Sequence, residues 1–321
     1  MIIAIAFLLV SVVVANLVQA GGEDNKVRAP TSPTAAGLVR ASEGRLPELL
    51  ACLREQGIAL IGAHRGGPLP EYPENAIATM ERTTSLVPVF IETDVQQTSD
   101  GILFMNHDDS LERNTTGKGL IREHTWAEIS NLKQRDTTDR PTIYRPPLLV
   151  EVLRWAEGRA LVLLDIKPET DIDLLVSNVS KTKADGRVMY LAYTVEQGLG
   201  ILTRRPNAAL VMPVLDRSTL SKVKAAGLVS SRLIAIARIN QDDPDFFRDL
   251  EALGITVMAG SYGGLETPDA VYKTLADAGA YQALMKKGAR LIVSNRPVEA
   301  ATALLADPEY RRKLMICGIN D

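Results

Sequence analysis

The chain has 321 residues, 46% of them apolar, and a formal charge of −3. That is enough apolar material for one large core or two small ones, and a single α/β barrel of about 250 residues would fit. The nearly balanced charge and the lack of any Lys/Arg run argue against a nucleic-acid partner.

Residues 1–20 are almost wholly apolar and uncharged, and Val18-Gln19-Ala20 before Gly21 reads as a small-residue cleavage site. The expectation is an exported chain, periplasmic or secreted, with no stable membrane span once the signal is removed. The alternative is a membrane anchor, because the n-region lacks Lys and Arg and the apolar stretch nearly reaches spanning length. Residues 21–44, rich in Gly, Ala, Pro, Ser and Thr, read as a flexible lead-in to one domain over 45–321. Leu46–Gln56 has helical spacing and a stop at Gly57. Cys52 and Cys317 are the only cysteines; export and neighbouring chain ends favour a disulfide over two buried thiols.

Ala59–Gly62 is a short apolar run that leads into His64-Arg65-Gly66-Gly67. A strand ending this way presents a general acid/base, a guanidinium suited to a phosphate, and flexible backbone. Pro73–Leu86 reads as a helix with proline near its start. Glu74 and Asn75, in its first turn, either line a site or cap the helix. Val89–Gln97 reads as a strand, so Glu92 and Asp94 share a face. Two carboxylates on one face repel unless a cation lies between them. Thr98-Ser99-Asp100-Gly101 is a turn too short for a parallel crossover, so Ile102–Asn106 returns antiparallel and brings His107 to about the level of Glu92.

Asn106–Pro147 carries little strand signal but holds a capping box at Thr125 and Glu128. His124, just before it, reads as a surface residue. Leu161–Lys167 is a continuous apolar run, as in a strand buried on both faces, with Asp165 and Lys167 on one face at its end. Strand-like runs then recur at Met189–Tyr193, Ala209–Val214, Leu233–Arg238, Ile255–Ala259 and Arg290–Ser294. Helix-like segments separate or follow them at Val195–Arg204, Ser218–Ala226, Pro244–Leu253, Pro268–Lys287 and Pro297–Leu305. Eight βα units predict a TIM (β/α)8 barrel, with residues 102–107 as an extra hairpin return. A doubly wound sheet is the runner-up, without a G-x-G-x-x-G loop to support it.

The ordered set His64-Arg65-Gly66, Pro73-Glu74-Asn75, Ile91-Glu92-Thr93-Asp94-Val95, Thr98-Ser99-Asp100-Gly101, His107-Asp108, Leu111 and Arg113 through Gly117 resembles the glycerophosphodiester phosphodiesterases. The likeness is dense over residues 60–170 and thin beyond. It implies His64 and His107 as acid–base pair, with His64 the base. It also implies a divalent cation, Ca²⁺ or Mg²⁺, on Glu92, Asp94 and Asp165, and substrate contacts from Arg65, Lys167, Glu74 and Asn75. Asp165 stands where the family carries a glutamate one methylene longer. Asn295 replaces an aspartate in the family's last strand end, and the usual tryptophan-bearing strand end reads ITVMAGSYGG, where Tyr262 offers an aromatic wall. The implied reaction releases sn-glycerol 3-phosphate and an alcohol from a small phosphodiester. The alternatives are a phospholipid- or sphingolipid-cleaving lyase of the same superfamily and a non-catalytic phosphate-ester binder. The sequence sets no oligomeric state.

Overall fold

The computed structural model describes residues 33–239, 243, 245–275 and 279–320. The expected export signal, residues 1–20, lies outside them. Eight strands run parallel: β1 (Leu60–Ala63), β2 (Phe90–Gln97), β4 (Val162–Ile166), β5 (Val188–Leu191), β6 (Ala209–Pro213), β7 (Leu233–Ile236), β8 (Thr256–Gly260) and β9 (Ala289–Ser294). β1 pairs with both β2 and β9, which closes the barrel. The remaining strand, β3 (Leu103–Met105), pairs antiparallel with β2. The predicted TIM barrel and its extra return strand are both present.

The strands are buried along nearly their whole length, as their unbroken apolar runs require when side chains on both faces are covered. Gly62 allows β1 to approach β2 closely: a Cβ there would lie 2.3 Å from the Phe90 ring. The hairpin turn carries its glycine, Gly101, at a φ of 78°, and the Asp100 carboxylate accepts from the Thr98 hydroxyl and the Trp126 amide. A small second core of Phe104, Leu111, Ile121 and Ile129 supports the excursion after β3. The predicted capping box is formed there, with the Glu128 carboxylate accepting from the Thr125 amide at 2.7 Å.

The lead-in read over 21–44 is corrected at its end. Ala35–Ser42 is a helix, N-capped by the Thr34 hydroxyl, with Leu38 and Val39 fully buried. Composition concealed it because Pro33, Gly37 and Gly44 look like breakers. Gly37 is instead a packing residue, since a Cβ there would overlap the Asn320 carbonyl. This helix and the next, Leu46–Gln56, join the main core, and each fully buried leucine contributes about 1.5–3 kcal/mol. Arg54 donates to the Thr256 hydroxyl where β8 begins, and the Tyr310 hydroxyl donates to the Ala59 carbonyl just before β1. The helix Leu46–Gln56, through Arg54, and the last helix, Pro308–Ile316, through Tyr310, therefore meet the N-terminal end of the barrel. There Cys52 is disulfide-bonded to Cys317, 265 residues away in sequence.

Two helix boundaries also differ from expectation. The helix read from Pro73 starts at Ile77, because Asn75 sits in the left-handed region at a φ of 62°. The stretch Pro268–Lys287 holds two described helices, Pro268–Leu275 and Gly279–Lys287.

Candidate active site

The C-terminal ends of the parallel strands gather the polar residues. β2 and β4 pair in a register that sets Asp94 beside Asp165, and Glu92 lies two residues before Asp94 on the same face. Oxygen atoms of Glu92, Asp94 and Asp165 all lie within 4.8 Å of one another. Each of the three residues is buried.

The cluster is braced from several sides. Lys167 donates to Asp94 Oδ1 at 2.7 Å and to Asp165 Oδ2 at 2.8 Å. The Tyr193 hydroxyl, just beyond β5, donates to the same Asp165 oxygen at 2.9 Å. Arg65 adopts a left-handed backbone (φ 52°) that aims its amide at Glu92 Oε2, 2.7 Å away. A non-glycine residue held there costs about 1–2 kcal/mol, so the surrounding contacts over-determine it. Its guanidinium donates to Glu74 at 3.0 Å, leaving Nε buried with no hydrogen-bond partner, 3.8 Å from Asp94.

Burial, and after it the charges of Asp94 and Asp165, push the Glu92 carboxyl well above the usual range. Burial also raises Asp165, against the pull of Lys167. For Asp94, burial is outweighed by Lys167 and His107, and the carboxyl is held below its ordinary value. Three buried carboxylates with two neighbouring cationic side chains leave negative charge uncompensated. Asp165 Oδ1 is buried with no partner at all. An all-oxygen set with an orphaned ligand atom fits a hard divalent cation.

His64 follows β1. Its Nδ1 lies 2.6 Å from Asn295 Oδ1, immediately after β9, and its ring stacks on Tyr262 at 4.2 Å. With the Asn295 amide so oriented, Nδ1 carries the proton and Nε2, 4.0 Å from Glu92, keeps its lone pair. Burial, aided by Arg65, lowers the pKa of His64, which keeps the ring neutral. His107 arrives on the return strand, where the Asn106 amide donates to the Asp94 carbonyl. Its Nδ1 is 2.6 Å from Asp108 Oδ1, so Nε2 is the free position. The β2–β3 pairing thus brings His107 in directly after the residue bonded to Asp94, while His64 Nε2 lies 4.0 Å from Glu92, so each imidazole adjoins the strand that carries the carboxylates. Asp108 is held in turn by Arg113, whose hydrogen bonds bring its carboxyl down to about 2.

Two expected substrate contacts are placed differently. Asn75 is 1% exposed, and its side chain is occupied within the protein. Nδ2 donates to Asp94 Oδ2 at 2.8 Å, while Oδ1 accepts from the Thr93 hydroxyl and the Asp94 amide. It braces a carboxylate from below and neither lines a pocket nor caps a helix. Glu74 is bridged between Arg65 and Arg113. Tyr193, Asn295 and Arg113 were not assigned roles from sequence. Only their positions hinted at function: Tyr193 and Asn295 at the ends of strands, Arg113 within the matched motif. His124 faces Glu128 and takes no part in the cluster.

Residues 64–212 match the Glycerophosphoryl diester phosphodiesterase family. That match covers just under half of the chain. A glycerophosphodiester phosphodiesterase of Bacillus subtilis is 41% identical over 193 residues, 54% of this chain and 65% of the relative. The chain thus spans less than two thirds of the length of the curated relatives it matches. Among solved structures, a Glycerophosphoryl diester phosphodiesterase from Parabacteroides distasonis superposes with a TM-score of 0.70 at 26% identity, over 86% of this chain and 94% of that one. An Oleispira antarctica phosphodiesterase, in complex with the product sn-glycerol-3-phosphate, shares the fold at 19% identity with a TM-score of 0.62, over 78% of this chain and 98% of that one.

Proposed function

We propose that this protein hydrolyses glycerophosphodiesters to sn-glycerol 3-phosphate and an alcohol. The observation that carries the reading is the pairing of two imidazoles, each with Nδ1 anchored, around one buried carboxylate cluster. The family match supports the substrate class, and so does the product found in the Oleispira structure.

His64 Nε2 takes the proton from a glycerol hydroxyl as that oxygen bonds to phosphorus. The bond to the alcohol breaks, and His107 Nε2 protonates the departing oxygen. The roles then reverse: His107 accepts a proton from water, the new P–O bond opens the cyclic phosphate, and His64 returns its proton to the glycerol oxygen. Arg65, with Nε unpartnered and its far end held by Glu74, offers fixed positive charge to a phosphoryl oxygen. Glu92, Asp94 and Asp165 would hold Ca²⁺ or Mg²⁺, which supplies Lewis-acid charge when bound. Lys167 sets the geometry of two of these ligands rather than touching substrate.

The test is release of glycerol 3-phosphate from glycerophosphocholine. His64→Ala is expected to lower the rate by about 10²–10⁴-fold. Equal rates in variant and wild type would refute the assignment. Phosphorus NMR that finds a cyclic phosphate as the end product would point instead to the lyase. Export is part of the same proposal, supported by the apolar residues 1–20 and by a disulfide of the kind that persists in oxidising compartments. Among the described residues, no helix is long and apolar enough to cross a membrane.

A further inference from the structure

Asp165 has a shorter arm than the glutamate expected at its position, yet it reaches the cluster. Its two oxygens have different surroundings. Oδ2 accepts from Lys167 and from the Tyr193 hydroxyl, whereas Oδ1 is buried and unpartnered. Rotation of the carboxylate about its Cβ–Cγ bond would break both bonds to Oδ2. Lys167 by itself does not prevent such rotation. Its ammonium also serves Asp94, and on its flexible stem three donors can follow a moving acceptor.

Tyr193 is the stiffer donor. β5 pairs with β4 so that Leu191 is the partner of Asp165, which fixes Tyr193 just past that carboxylate. We propose that Tyr193 is a positioning residue that turns Asp165 Oδ1 into the carboxylate cluster, and so lets a short-armed aspartate act as a cation ligand. This inference rests on the cation reading given above. Tyr193 is 46% exposed, so phenylalanine in its place leaves the core intact. Its amide bond to Gln197 does not involve the hydroxyl.

The test is calorimetric titration of the full chain, stripped with chelator, with CaCl₂ and MgCl₂ and no substrate. Tyr193→Phe is expected to weaken cation affinity about tenfold, while the melting temperature of the stripped protein falls by no more than one lost hydrogen bond accounts for. The loss should shrink when the same change is made in Asp165→Glu, whose longer arm reaches the cluster without the tyrosine. Unchanged affinity in Tyr193→Phe would overturn the proposal. So would an undiminished loss in the Asp165→Glu background. A wild type that binds neither cation would overturn the cation reading itself, and this inference with it.

Discussion

Asn75→Ala removes three buried hydrogen bonds at once. The bond to the Asp94 carboxylate, at 2.8 Å, is charge-assisted and worth about 1.5–3 kcal/mol. The two bonds accepted by Oδ1, from the Thr93 hydroxyl and the Asp94 amide, are worth about 0.5–1.5 kcal/mol each. Alanine must also occupy a φ of 62°, which adds about 1 kcal/mol. Allowing for partial relaxation, the loss should be about 3–5 kcal/mol. Urea unfolding in chelator measures it, and Asn75→Gly, free of the left-handed penalty, should retain about 1 kcal/mol more. Turnover of glycerophosphocholine should show kcat falling more than KM rises, because Asp94 loses its orientation while the pocket keeps its walls. A variant within about 1 kcal/mol of wild type, with only a raised KM, would show that Asn75 touches substrate and that the bracing argument is wrong.

Lys167→Met leaves Asp94 and Asp165 buried without their shared cation; a loss of about 3–5 kcal/mol is expected in chelator, read by thermal unfolding. Cys52→Ser should cost about 2–4 kcal/mol and lower the melting temperature, with no change in kcat, since the disulfide lies at the opposite end of the barrel from the site. Arg113→Gln tests the acid limb of stability. The Asp108 carboxyl is depressed to about 2, so its contribution is complete above the unfolded value near 4 and fades as pH falls from about 4 to about 2. The difference in melting temperature between wild type and Arg113→Gln should therefore narrow across that window. A constant difference would mean that Asp108 does not depend on Arg113.

The barrel was legible because each parallel strand is a short apolar run with turn residues around it, and its extra strand because the five residues 98–102 between Gln97 and Leu103 are too few for a parallel crossover. The spacing of Glu92 and Asp94 likewise dictates a shared face. What lay beyond the sequence was long-range. Nothing near Asn75 announces that its amide holds a carboxylate on another strand, and nothing near Tyr193 points to Asp165, 28 positions earlier. The helix Ala35–Ser42 is short and glycine-bearing, and it owes its order to burial against the barrel rather than to propensity.

The two imidazoles are mounted differently. His64 directly follows a barrel strand and is clamped by Tyr262 and Asn295 from the closing side of the ring, so barrel closure itself sets its place. His107 sits at the tip of a return strand, and its partners Asp108 and Arg113 belong to the excursion that follows. A length change within residues 107–147 would therefore re-space one imidazole against the other without disturbing the carboxylates. The fold thus leaves one dimension of the candidate site adjustable, the gap between the two rings, while the carboxylate wall stays constant.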